Sequence, residues 1–329
     1  MKASNRNEII ALIENRNIQK ENIKEVLEQT SLTPTSTRWY AFLDQMVLWI
    51  GALSLAFALM FFMAYNWSEF GNFGKFLLVE SLMALTIGVY LYLKVEKLSA
   101  KVMLTLSSIL LGVLLALVGQ TYQTGADPWQ LFFYWAVLML PWVIIGRFSA
   151  LWMLWIFLMN VSILLYMLTF RGIFGIYFSS ESSLLWVLFL FNTLALLLWE
   201  VLSSKFEWLN VSWAIRVLGF LSGLTVTGLA LSFIWEDSNV MALLVWIGWL
   251  GMIYWLYRVK KIELFMLSMG CFSFSIVVVS ILINSLSFRH FSLGTIFLVG
   301  VVIIGLGAGF ASWLKSVQKK EHYYAESKE

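Results

Sequence analysis

Ten apolar stretches, each about the length needed to cross a bilayer, alternate along the chain with short loops, and the loops alternate in Lys and Arg content. A membrane-spanning helix needs about 20 mostly apolar residues, because in hydrocarbon every backbone polar group must be satisfied within the segment. The stretches fall near Met46–Tyr65, Phe76–Leu93, Val102–Gly119, Leu131–Ile145, Ser149–Leu168, Leu184–Leu202, Val217–Ile234, Val240–Tyr257, Ile262–Ile283 and Gly294–Leu314. The fourth and fifth are separated only by Gly146-Arg147-Phe148, which makes that pair the easiest to miscount. The pattern predicts an all-α polytopic membrane bundle of about ten helices. With 60% hydrophobic and 12% charged residues, the 329-residue chain has no room for a large soluble domain beside it.

Orientation follows from the rule that Lys and Arg stay on the cytoplasmic side of short loops. If the N-terminus is inside, all but three of the 22 basic residues fall in cytoplasmic segments, the exceptions being Lys75, Arg171 and Arg289. A missed early span would scramble that alternation, so the distribution predicts an even number of spans with both ends in the cytoplasm. The basic residues are neither dense nor interleaved with aromatics on a polar face, which argues against nucleic-acid binding.

Three segments are expected. Residues 1–36 form a cytoplasmic two-helix segment and linker, with Ile9, Ile10, Leu12 and Ile13 on one short helix and Ile18, Ile23, Val26 and Leu27 on the next, followed by a stretch rich in Ser and Thr around Pro34. Residues 37–315 form the bundle, with Trp39, Tyr40 and Phe42 at its first interface, and 316–329 form a cytoplasmic tail. Met1 to Arg38 is polar, so the first span is expected to serve as the insertion signal. Ten spans divide into five and five, a plan compatible with an inverted repeat, although no residues recur between the halves.

The candidate chemistry gathers at the external end of the first four spans. Glu80 lies about one turn inside the second span, where a carboxylate is expected to face the bundle interior, find a partner, or take up a proton. The loop Gly119-Gln120-Thr121-Tyr122-Gln123-Thr124-Gly125-Ala126-Asp127-Pro128-Trp129 holds no Lys or Arg but is dense in amides, hydroxyls and aromatics. Gln120, Tyr122, Gln123 and Asp127 could contact a small polar ligand, while the plain structural role for Asp127 or Thr124 is to cap the next helix. Tyr65, Asn66 and Trp67 close the first span on the same side, where aromatics ordinarily belong to the interfacial belt. The second half is expected to lack a carboxylate equivalent to Glu80, with Asn160 and Asn192 reading as single amides that bond a neighbouring helix.

Gly219 with Gly223 and Gly305 with Gly309 have the four-residue spacing that lets helices approach, within the chain or in a homo-oligomer. Catalytic and metal chemistry is poorly provided for. Cys271 is the only cysteine, and His290 and His322, the only histidines, fall outside the spans, so no metal, cofactor or catalytic residue is expected.

Ala64-Tyr65-Asn66-Trp67, the Gly119–Asp127 loop and Leu131-Phe132-Phe133-Tyr134-Trp135 together resemble the uncharacterised bacterial membrane proteins of domain-of-unknown-function family 2157, over about residues 5–145. The resemblance implies a multi-pass protein of the bacterial inner membrane and adds no chemistry. Similar proteins are often encoded beside another membrane protein named for a Gly-Asp-Tyr motif, which implies a membrane-protein partner besides the lipid bilayer. Two readings follow: a transporter, channel or permease-like component whose external vestibule leads to Glu80, or a non-transporting scaffold or sensor that binds a partner through its N-terminal helices.

Overall fold

The structure is a computed structural model and describes residues 36–65, 69, 71–94, 96–170, 172, 173, 176, 177, 182–236, 239–286 and 293–326. The expected N-terminal helices, Asn66, Trp67, Arg171, Arg289 and His290 lie outside the described residues. Among the described residues, ten helices are long and apolar enough to cross a membrane, the eighth counted with the wide turn that continues it to Lys260. They are α1 (Ser36–Tyr65), α2 (Asn72–Tyr92), α3 (Leu98–Tyr122), α4 (Pro128–Gly146), α5 (Ser149–Phe170), α6 (Ser183–Ser203), α7 (Ser212–Glu236), α8 (Met241–Tyr254), α9 (Leu264–Ser285) and α10 (Leu293–Glu326). Each expected span falls on one helix, and α4 and α5 are two helices packed on each other. A two-residue antiparallel hairpin, Gly172–Ile173 with Ile176–Tyr177, lies between α5 and α6.

The ends differ from the hydropathy pattern at both termini of the bundle. Helix α1 begins at Ser36, ten residues before the expected span, and α10 runs on to Glu326. Hydropathy marks where a helix leaves apolar surroundings, whereas backbone hydrogen bonding carries the helix on through Arg38 and Asp44, or Lys315 and Lys319, where nothing breaks it.

The chain divides into two compact units, residues 1–110 with 318–329, and residues 111–317. In the first unit, α2 buries one stripe, Lys75, Val79, Thr86 and Tyr90, at spacings of four, seven and four residues. The apolar core of α1 has no buried residue at all.

The second unit is organised by α7, which packs against α6, α8 and α9. Its sequence explains why. Ala214, Gly219, Ser222, Gly223, Thr225, Thr227 and Ala230 are all buried, and small side chains let neighbouring backbones come close where dispersion and hydrogen bonds, not hydrophobic exclusion, hold helices together. A Cβ built on Gly219 would collide with the Met266 thioether, and one on Gly223 would lie 3.0 Å from the Trp249 ring. The four-residue glycine spacing in α7 thus meets close neighbours at both of its glycines. In α10 it does not: a Cβ on Gly305 or Gly309 meets no described atom within 4 Å.

Helix α8 ends in a wide turn. Over Trp255–Lys260 the hydrogen bonding relaxes to the π pattern, with Lys261 N–H donating to the Leu256 carbonyl at 3.0 Å. The added backbone turns Tyr257 inward, to 1% exposure.

Candidate functional site

In the second unit, the external loop of the sequence reading joins α3 to α4. Gln120, Tyr122 and Gln123 are exposed and Asp127 is half-buried. Gln123 has φ of 45° and Gly125 of 63°. The left-handed region suits Gly125, whose missing Cβ removes the clash, but it strains Gln123, and such strain concentrates where a loop presents a group for a purpose. Asp127 holds the N-cap position of α4, yet its side chain makes no capping hydrogen bond. Its carbonyl instead accepts from Gln130 N–H at 3.0 Å. Two polar atoms bracket the loop, Thr121 Oγ1 and Trp129 Nε1, both buried with no hydrogen-bond partner among the described residues. The Trp129 ring is enclosed by Tyr166, Phe170 and Phe133, with Tyr166 edge-on at 4.9 Å between centroids.

The first unit carries Glu80 and Tyr65, and both are exposed. Glu80 follows Val79 directly in α2, so it stands about 100° round the helix from the buried stripe. It makes no hydrogen bond or ion pair with any described residue, and the expectation of an inward-facing, partnered carboxylate does not hold within this chain. An apolar cleft of about 400 Å³ lies between α1, α2 and α3, lined by Leu59, Phe62, Leu82, Leu85 and Leu110.

Several buried polar groups of the second unit bond one another across helices. Asn160 and Asn192 form a reciprocal amide pair across α5 and α6, at 3.1 and 2.7 Å, and each also donates to the carbonyl four residues earlier in its own helix. Two further knots are built alike, and sequence reasoning missed both. Trp249 Nε1–H donates to Ser222 Oγ at 2.9 Å, and that hydroxyl lies 2.7 Å from Thr193 Oγ1, which ties α8, α7 and α6 together. Trp246 Nε1–H donates to Ser273 Oγ at 3.0 Å, and that hydroxyl lies 2.6 Å from Thr227 Oγ1, which ties α8, α9 and α7. The three-residue separation of Trp246 and Trp249 puts both indoles on one face of α8, the signal that could have found them. Membrane helices use Ser, Thr and Trp in this way because an unsatisfied donor in hydrocarbon has no water to turn to.

The expectation that the second half lacks a membrane carboxylate is overturned. Glu200 lies inside α6, three residues from its end, and accepts a hydrogen bond from Tyr257 Oη–H at 2.7 Å. The π turn of α8 is what brings the phenol there. One turn beyond, Arg216 and Glu263 form an ion pair of 2.7 Å between α7 and the start of α9, and Lys260 stands 3.9 Å over the Trp255 ring. Sequence reading passed over Glu200 because it lies beside Ser203-Ser204-Lys205 and looks like the edge of a loop.

Two cavities among the described residues of the second unit are apolar. One of about 670 Å³ lies between α8, α9 and α10, lined by Ile247, Leu250, Cys271, Phe274, Phe310 and Trp313. Another of about 380 Å³ lies between α5, α6 and the short 3₁₀ turn Glu207–Leu209, and is lined by Trp152, Trp155, Trp199 and Trp208 together with Phe and aliphatic side chains.

No curated protein and no solved structure matches the chain. Over residues 11–152, which include α1 to α4 and the loop that joins α3 to α4, the chain matches the family described as Predicted membrane protein (DUF2157).

Proposed function

We propose that this protein is a non-transporting scaffold or sensor of the bacterial inner membrane, with both ends in the cytoplasm, which holds a membrane-protein partner through its N-terminal helices. One observation carries the reading: the Asn160–Asn192 pair and the two indole–hydroxyl knots in the bundle of α5 to α9 join side chains that satisfy one another across helix contacts instead of lining a polar path. A transport route needs hydrogen-bonding groups left open to water or substrate. The cavities described above are apolar, and the carboxylate inside α6 is engaged by a phenol. Helix α1, apolar and unburied, supplies surface for lipid or for the helices of a partner.

Deleting residues 1–36 tests the proposal. The truncated chain is expected to insert normally but to lose a partner that cross-links to and co-purifies with the full chain from its native membrane. A second reading, transport, is favoured by Glu80 in a span and the strained Gln123 turn. It requires proton- or cation-dependent flux in sealed vesicles that Glu80→Gln abolishes. Flux of that kind, with the partner retained after truncation, would replace the scaffold with the transporter.

A further inference from the structure

We infer that the tryptophan-lined cavity between α5, α6 and the 3₁₀ turn is a binding site for one anionic glycerophospholipid, whose acyl chain occupies the cavity and whose phosphate is met by Arg147 and Lys205. The cavity measures about 380 Å³, within the range of about 300–1,000 Å³ typical of small-molecule sites. Its walls are Trp152, Trp155, Trp199, Trp208, Phe191 and Phe206, with aliphatic side chains between them, so the part of a ligand that enters must be apolar. Leu194 and Leu198 belong both to the wall and to the exposed face of α6, which opens the cavity towards the hydrocarbon.

The local chain explains the walls. Ser149 Oγ–H at the start of α5 donates to the Trp208 carbonyl, and Trp199 Nε1–H donates to the Leu209 carbonyl at 3.1 Å, so the 3₁₀ turn is fastened to both helices. Trp152 stacks on Trp208 with 6.5 Å between centroids. Trp155 Nε1–H is used by the Ala136 carbonyl, but Trp152 Nε1–H is buried with no acceptor among the described residues. Indoles favour the depth at which lipid ester groups lie.

Charge selects the headgroup. Arg147 caps α4 in the left-handed conformation, two residues before Ser149, and Lys205 directly precedes Phe206. Both are exposed, and neither makes a hydrogen bond through its side chain or an ion pair among the described residues, whereas Arg216 is already committed to Glu263. Two uncommitted cations this near in the chain to the start of α5 and to the wall residue Phe206 are complementary to a phosphodiester with a net negative charge. In the proposed orientation this end faces the inner leaflet.

Native mass spectrometry of the full chain, released from micelles doped with phosphatidylglycerol or phosphatidylcholine of identical acyl chains, tests the site. One phosphatidylglycerol is expected to stay bound. Removing both charges with Arg147→Gln and Lys205→Gln should weaken its retention by about thirty-fold, from about tenfold per 1.4 kcal/mol and about 1 kcal/mol per basic residue, and leave phosphatidylcholine unchanged. Ala195→Trp, which fills the cavity, should abolish retention. Equal retention of the two lipids by the wild-type chain would overturn the inference. So would retention unaffected by the charge variant, whose two positions lie outside the core and do not endanger folding.

Discussion

Replacing Ser222 with Ala tests whether the indole–hydroxyl knots hold the bundle together. The Ser222 side chain is fully buried, Trp249 is 3% exposed, and the single hydroxyl serves both the indole N–H at 2.9 Å and Thr193 Oγ1 at 2.7 Å. The substitution leaves shape nearly unchanged and takes two interhelical hydrogen bonds away. Such bonds between membrane helices average about 0.6 kcal/mol and reach about 1.7, so the expected loss is about 1–3 kcal/mol. Reversible unfolding by increasing mole fraction of an anionic detergent in mixed micelles, followed by far-ultraviolet circular dichroism, measures it. Trp249→Phe removes the donor, and the double variant isolates the Ser222–Trp249 coupling, expected at about 0.6–1.7 kcal/mol with the same sign. A Ser222→Ala loss below about 0.5 kcal/mol, the size of an ordinary surface change, would refute the reasoning. It would mean that the hydroxyl is solvated, as it would be beside a water-filled path.

Three further outcomes are expected. Gly223→Leu should cost about 1–3 kcal/mol or more by overpacking against the Trp249 ring, while Gly305→Leu should stay within about 0.5 kcal/mol, both read from the same unfolding titration. Tyr257→Phe removes the donor that holds Glu200, and should lower stability by about 1.5–3 kcal/mol with helix content unchanged by circular dichroism. Glu80→Gln should change stability by less than about 0.5 kcal/mol and leave partner co-purification intact, since Glu80 is exposed and engages no described residue.

What could be read from the sequence and what could not divide along physical lines. Hydropathy sums over about 20 residues, so all ten helices were legible, including α4 and α5 with only two residues between them. Which side of each helix is buried was not legible, because helices apolar all round carry little amphipathic signal. Glu80 attracted notice as a charge in an apolar run, yet its neighbour Val79 is the residue that turns inward. Glu200, shaded by the polar residues that follow it, went unremarked although its carboxylate accepts from Tyr257. The glycine spacing was the same in α7 and α10, and only in α7 does a facing Met266 or Trp249 make use of it. The π turn that delivers Tyr257 has no signature in residues 255–260 that hydropathy can register. In the external loop, composition picked out Gln120, Tyr122, Gln123 and Asp127, but the strain at Gln123 and the missing cap at Asp127 depend on backbone angles.

Cysteine accessibility in sealed vesicles, on a Cys271→Ser background, tests most directly whether the buried polar groups are packing devices or the lining of a route. Single cysteines at Asn192, Ser222 and Ser273 are expected to resist a small hydrophilic thiol reagent from both sides, while a cysteine at Gln123 reacts from outside and one at Lys205 from inside. Reaction at position 192, 222 or 273 from either side would reveal water in the bundle and contradict the scaffold account.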